Sequence, residues 1–171
     1  MSALVVFESM YGNTWQVAEA VGEGLSEHLP VEVVEVGSAP SALGDDVRLL
    51  VVGAPTHAFG LSRGSTRADA AERAGRAVIS AGVGVREWLE ELRLPRGLAV
   101  ASFDTHADKR WVPGSAAAVA RRQLRGLGGA PVAPAESFYV EGMEGPLVAG
   151  EIDRARELGQ RLAGHVATAD A

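Results

Sequence analysis

Short unbroken apolar runs alternate along this chain with stretches in which apolar residues recur every three or four positions. Ala3-Leu4-Val5-Val6-Phe7 and Leu49-Leu50-Val51-Val52-Gly53-Ala54 are runs of the first kind. Continuous, short and apolar, they read as parallel strands buried on both faces. Val31 to Val36 alternates in part, which suits an edge strand with one face less buried. Gly97 to Phe103 reads as a fourth strand, and Val132 to Val140 contains a fifth, clearest from Ser137 to Val140. Between them lie helical patterns. From Asn13 to about His28, Val17, Ala18, Val21 and Leu25 share one face, and Glu19, Glu23 and Glu27 lie mostly on the other. Ser65 to Glu72 reads as a short helix capped by Ser65 or Thr66. Val85 to Leu92, Ser115 to about Leu127, and Glu151 to Val166 complete the set, and residues after Ala167 read as a frayed tail.

Five strands alternating with helices predict a doubly wound α/β fold, an open parallel sheet between two helical layers. Ligands of such sheets sit beyond the carboxyl ends of the strands, where strand order reverses. The loops after strands one, three and four therefore form the functional edge. No repeat, linker or low-complexity run interrupts the alternation, so residues 1–167 read as one domain with 168–171 as its tail.

Composition narrows the chemistry. The chain has 171 residues, of which 47% are hydrophobic and 22% charged, as in ordinary globular proteins. A chain of this length buries roughly 70% of its unfolded surface. There is no cysteine, which removes disulfides, thiolate metal sites and thiol nucleophiles. A net charge of −6 argues against nucleic-acid binding. No apolar run approaches the roughly 20 residues that cross a bilayer. With no leader pattern either, the expected location is the cytoplasm.

The most informative segment is Ser9-Met10-Tyr11-Gly12-Asn13-Thr14, between the first strand and the first helix. Backbone N–H groups, hydroxyls and a helix N-terminus together make an anion site. The Gly-x-x-x-x-Gly-Lys loop of triphosphate sites and the three-glycine dinucleotide fingerprint are both absent. The anion expected is a phosphate monoester.

With these residues in view, the chain resembles a flavodoxin-fold protein over nearly its whole length. Three segments carry the resemblance. Ser9 to Thr14 is similar to the family's phosphate loop. Gly53-Ala54-Pro55-Thr56-His57-Ala58-Phe59-Gly60 is similar to the loop covering one flavin face. Ala101 to Ser115 takes the place of the loop covering the other. The resemblance implies a three-layer sandwich with strand order 2-1-3-4-5, of the short-chain type, and a noncovalent FMN. The Gly142-Met143-Glu144-Gly145-Pro146-Leu147 stretch resembles flavodoxin-like proteins of actinobacteria that have no secure reaction.

The resemblance also assigns roles. Ser9, Asn13 and Thr14 would hold the FMN phosphate, Gly12 would let the backbone approach it, and Met10 and Tyr11 would complete the loop, Tyr11 replacing a small hydroxyl residue. Pro55, Thr56, His57, Ala58, Phe59 and Gly60 would line one flavin face. His57 stands where the family often stacks a Trp; the alternatives are stacking by Phe59 or a merely exposed His57. Ala58 replaces a Gly whose peptide turns over on reduction, and Ala resists the positive φ this needs. Phe103, Asp104 and Thr105 would pass the pyrimidine edge, with Trp111 or Phe103 packing on the ring or anchoring the loop.

Charge adds a separate expectation. Arg63, Arg67, Lys109 and Arg110 flank the two loops, offset in part by Asp104 and Asp108. Positive potential there would raise the flavin's reduction potential and could receive a nicotinamide nucleotide phosphate. The leading reading is an electron carrier serving a redox partner protein or a small-molecule acceptor. The alternatives are an NAD(P)H-dependent quinone or flavin reductase, and a module that has lost FMN. Two rival constellations are weaker. Gly60-Leu61-Ser62-Arg63-Gly64 matches a nucleophile elbow in spelling but lies several residues past its strand. Asp104, His106, Asp108 and His57 could ligate a metal, though polar loops often contain such triplets. A receiver domain would need an acceptor Asp after strand three, where Ala54-Pro55 stand.

Overall fold

Alternate side chains of each apolar run find a core on opposite faces of the sheet, which is what holds these runs as strands. The computed structural model of the chain describes residues 1–57, 59–107 and 113–169. The strands are β1 (Ser2–Phe7), β2 (Val31–Glu35), β3 (Val47–Pro55), β4 (Ala99–Ala107), β5 (Ala130–Pro131) and β6 (Glu136–Val140). The helices are α1 (Asn13–Ser26), α2 (Gly64–Ala74), α3 (Val85–Glu91), α4 (Ala116–Gly126) and α5 (Glu151–Ala169). All strand pairings are parallel, in the order β2-β1-β3-β4-β5, with β6 also on β4.

Ala3, Val5, Phe7, Leu49 and Val51 point to one face, where α1 and α5 supply Val17, Val21, Leu158 and Leu162. Leu4, Val6, Leu50 and Val52 point to the other, against Val85, Trp88 and Leu89 of α3 and Leu124 of α4. Burying each such side chain contributes about 1.5–3 kcal/mol. The chain thus has the three layers and the strand order expected of it.

Three expectations change. The fifth strand position is filled by two pieces. β5 pairs with Ala99 and Val100, and β6 pairs with Phe103 to Ala107. The ladder lapses around Pro134, which has no N–H to donate. β4 itself runs four residues past Phe103, because β6 on one side and Pro55 on the other extend its ladder. Asp104 to Ala107 are therefore strand, not loop. At the far end, α5 continues to Ala169. The Thr168 hydroxyl donates to the Gly164 and His165 carbonyls.

α2 is one turn longer than predicted and its cap differs. The N-cap residue is Arg63, whose N–H donates to Thr66 Oγ1 at 2.8 Å, while the Thr66 hydroxyl donates back to the Arg63 carbonyl at 3.0 Å. Thr66 thus closes the first turn from inside it.

Candidate cofactor site

β1 leads straight into the loop singled out in the sequence. Gly12 turns the chain with φ +98° and its N–H donates to Ser9 Oγ at 3.0 Å. α1 then opens at Asn13, and its first internal hydrogen bond runs from Gln16 N–H to the Gly12 carbonyl. The N–H groups of Asn13, Thr14 and Trp15 have no acceptor among the described residues, nor do those of Met10 and Tyr11. Orphan donors at a helix N-terminus carry partial positive charge and recruit anions. Beside them, Thr14 Oγ1 and Thr105 Oγ1 share one hydrogen bond at 2.7 Å. One hydroxyl donates to the other, which leaves one hydroxyl proton for a third group.

The loop is fixed from outside by the long connection between β3 and α3. Ile79 N–H donates to the Met10 carbonyl and Ser80 N–H to the Ser9 carbonyl, at 3.1 and 2.8 Å. Ser9 N–H in turn donates to Ser80 Oγ. The Tyr11 hydroxyl donates to the Ala70 carbonyl of α2 at 3.2 Å, and Met10 packs with Ala70 and Val78. Beside the loop lies a cleft of about 380 Å³. Ser9, Met10, Tyr11, Asn13 and Thr14 line one end of it. Pro55, Thr56 and His57 line one side and Thr105, His106 and Ala107 the other, with Thr66, Asp69, Ala70 and Arg73 of α2 forming a further wall.

His57 is partly buried, and its Nδ1 lies 3.1 Å from Thr66 Oγ1. Burial first, then the Arg67 and Arg73 charges, lowers its pKa below the ordinary 6.5. The imidazole is therefore neutral at pH 7. The His57 backbone N–H donates to the Gly60 carbonyl and its backbone carbonyl accepts from Gly60 N–H. Phe59 sits at the tip with φ +76° and 63% exposure, and does not line the cleft. Of the stacking candidates, His57 faces the cleft, Phe59 does not, and Trp111 lies outside the described residues, as does Ala58.

Two sequence candidates are placed elsewhere. Phe103 is wholly buried in the α1–α5 core, edge-on to Phe138, because alternation along β4 turns it to that face of the sheet. Asp104 is also wholly buried and lines nothing. Its Oδ2 accepts from Thr56 Oγ1, Ser115 Oγ and Ala117 N–H at 3.1, 2.6 and 3.0 Å, and so ties the start of α4 to the end of β3. Asn13 reaches the cleft, but its side-chain amide donates to the Glu144 carbonyl at 2.9 Å. Its backbone N–H and the second Nδ2 hydrogen remain for an anion.

The expected ring of positive charge is also different. Arg67 is buried and hydrogen-bonds Glu87 and Ser62. Ser62, the nucleophile of the elbow reading, is thereby a buried partner of Arg67. Arg63 does not line the cleft, and Lys109 and Arg110 lie outside the described residues. Arg73 takes their place at the cleft wall, with Asp69 one turn away. Sequence reasoning missed Arg73, Thr66 and Ala70 because nothing in their spacing shows that α2 folds back over the phosphate loop. It missed Val140, Gly142 and Met143 because the end of a strand does not announce what it faces. No cluster of three metal-ligating side chains occurs among the described residues, and Asp108 lies outside them.

Against known proteins, the flavodoxin family profile matches residues 5–91, half of the chain. The chain belongs to the flavodoxin family. Solved flavodoxins agree in fold. One from the domain Archaea is 19% identical, with 98% of this chain and 99% of that one aligned at a TM-score of 0.68. Flavodoxin 1 from Bacillus cereus is 16% identical, with 96% and 99% aligned at 0.70. A WrbA-like flavodoxin from Agrobacterium tumefaciens is 20% identical, with 98% of each chain aligned at 0.60. No curated protein matches the sequence significantly. FMN is the cofactor of the family, and flavodoxin is itself a standard case of a ligand at the reversal of strand order. The residues present fit it. Four residues with orphan amides, Met10, Tyr11, Asn13 and Thr14, and the Thr14–Thr105 hydroxyl pair line one end of a cleft that reaches His57. Among the described residues no helix is long and apolar enough to cross a membrane.

Proposed function

We propose that this chain is a cytoplasmic electron carrier that works through noncovalent FMN and serves a redox partner protein or a small-molecule acceptor. The observation that carries the reading is the set of unpartnered N–H groups of Met10, Tyr11, Asn13 and Thr14, four residues that line the cleft. Bound FMN supplies one- and two-electron chemistry, and the protein supplies position and electrostatics.

In this reading the Met10, Tyr11, Asn13 and Thr14 N–H groups hold the phosphate, with the Thr14–Thr105 hydroxyl pair donating one further hydrogen bond. Ser9 shapes the loop through Gly12. Pro55, Thr56 and neutral His57 line one flavin face, and Thr105, His106 and Ala107 line the other. Arg73 adds positive potential along the wall, which favours added negative charge in the cleft. Ala58 and Trp111 remain proposed contacts on sequence grounds, at the loops that cover the two faces.

The test is a purified sample. A carrier shows the yellow absorption of bound flavin and passes electrons from a chemical or protein reductant to a cytochrome. Rapid NADPH oxidation with a quinone and no added protein would replace this reading with the reductase. Thr14→Ala should weaken FMN about tenfold, the value of one hydrogen bond to a charged group. Riboflavin, without the phosphate, should bind the variant and the parent alike.

A further inference from the structure

The stretch Gly142 to Leu147 lies between β6 and α5. It follows β6 as a closed loop. Glu141 N–H donates to the Pro146 carbonyl at 2.8 Å, and Val148 N–H donates to the Tyr139 carbonyl at 2.9 Å. The loop leans over the first residue of α1. Asn13 Nδ2 donates to the Glu144 carbonyl at 2.9 Å. Gly145 has φ +109°, and a Cβ there would stand 2.5 Å from Asn13 Oδ1, so only glycine lets the loop come this close. On the far side the loop meets the end of α2. Arg73 Nη1 lies 3.9 Å from Met143 Sδ, and Arg76 Nη2 lies 4.0 Å from Glu144 Oε2. Gly142 and Met143 line the cleft itself. The loop therefore spans from α1 to α2 across the end of the cleft where the orphan amides sit.

We propose that the loop of residues 141–146, fastened by the Asn13 side chain, determines cofactor specificity by admitting a flavin mononucleotide and shutting out the dinucleotide. The inference rests on FMN phosphate binding at the α1 N-terminus. A mononucleotide ends at that phosphate. A dinucleotide must carry a second phosphate and an adenosine beyond it, into the space the loop occupies. The exclusion is steric, since the Glu144 carboxylate is balanced by Arg76 at 4.0 Å and Arg73 lies against Met143. The opposite wall offers no alternative exit, because Tyr11 is held to Ala70 and the Met10 carbonyl to Ile79. Specificity here comes from exclusion as much as from attraction.

The experiment compares dissociation constants of FMN and FAD, by quenching of flavin fluorescence, for the flavin-stripped full chain and for two variants. Asn13→Ala removes the fastening and keeps the α1 amides. Gly145→Ala forces the loop away from Asn13. The parent should bind FMN at least 100-fold more tightly than FAD, and each folded variant should narrow that ratio at least tenfold, mainly by gaining FAD. If Gly145→Ala does not fold, Asn13→Ala decides alone. A variant ratio equal to the parent's, with native circular dichroism, overturns the proposal. A parent that binds FMN no better than riboflavin overturns the cofactor reading itself, and the loop's role with it.

Discussion

Glu8 is the residue at which the physical conflict is sharpest. It stands between β1 and the phosphate loop, wholly buried, with Oε1 accepting from Val85 N–H at 2.8 Å and Oε2 without a partner. Burial raises its pKa above 4.5, and Glu87 adds to this, against the pull of Ser62, the Val85 N–H and Arg67. Arg67 is committed to Glu87. Burial alone would raise Glu87 too, but its hydrogen bonds and the Arg67 charge outweigh that and lower it. A carboxyl whose folded pKa lies above its unfolded value contributes stability that is fully present below about pH 4.5 and is lost as pH rises through the folded value. Glu8→Gln should therefore gain melting temperature relative to the parent as pH increases from 4 to 8. A constant difference across that range would mean that the folded and unfolded pKa values coincide. The same cluster demands glycine at position 84, where a Cβ would overlap both Arg67 Nη1 and Glu8 Oε1. Gly84→Ala should cost about 2–4 kcal/mol by denaturant unfolding. His57 has the opposite sign. Its lowered pKa means stability present above about pH 6.5 and lost as pH falls below that through the folded value. Its ring protons, followed by NMR, should titrate below 6.5 in the flavin-free chain; a value at or above 6.5 would contradict the burial of the imidazole beside Arg67 and Arg73.

At the scale of elements, the sequence read well wherever one strand or helix decided its own fate. β1, α1, β3, α3 and α4 fall close to their predicted bounds, since apolar period and capping residues are local. The phosphate loop was legible for the same reason: Ser9, Gly12 and the α1 N-terminus are neighbours in sequence. What failed depended on partners distant in sequence. The extra length of β4 comes from its pairing with β6, and that pairing turned Phe103 inward and Asp104 toward α4. The α2 wall depends on Tyr11 meeting Ala70, 59 residues away. Asp104 then becomes a structural prediction. Asp104→Ala strands the Ala117 amide and two hydroxyls and should cost about 2–4 kcal/mol, whereas Asp104→Asn keeps an acceptor for them and should cost less than half as much. Equal losses would mean that the charge, not the hydrogen bonding, holds α4 in place.

For the whole molecule, the fold brings three separate segments to one edge of the sheet. They are the loop after β1, the turn after β3 and the end of β4. The β3–α3 connection then covers the first of them and the loop after β6 meets it from the other side. The result is a cleft with an anion-seeking end and a neutral His57 further along it. The central claim is that phosphate binding by the α1 N-terminus secures the flavin. The most direct measurement is the ratio of dissociation constants of FMN and riboflavin for the flavin-stripped chain. Two or more charge-assisted hydrogen bonds are each worth about 1.5–3 kcal/mol, so FMN should bind at least about 100-fold more tightly. A ratio near one would contradict the account, since the amides of Met10, Tyr11, Asn13 and Thr14 would then hold no phosphate.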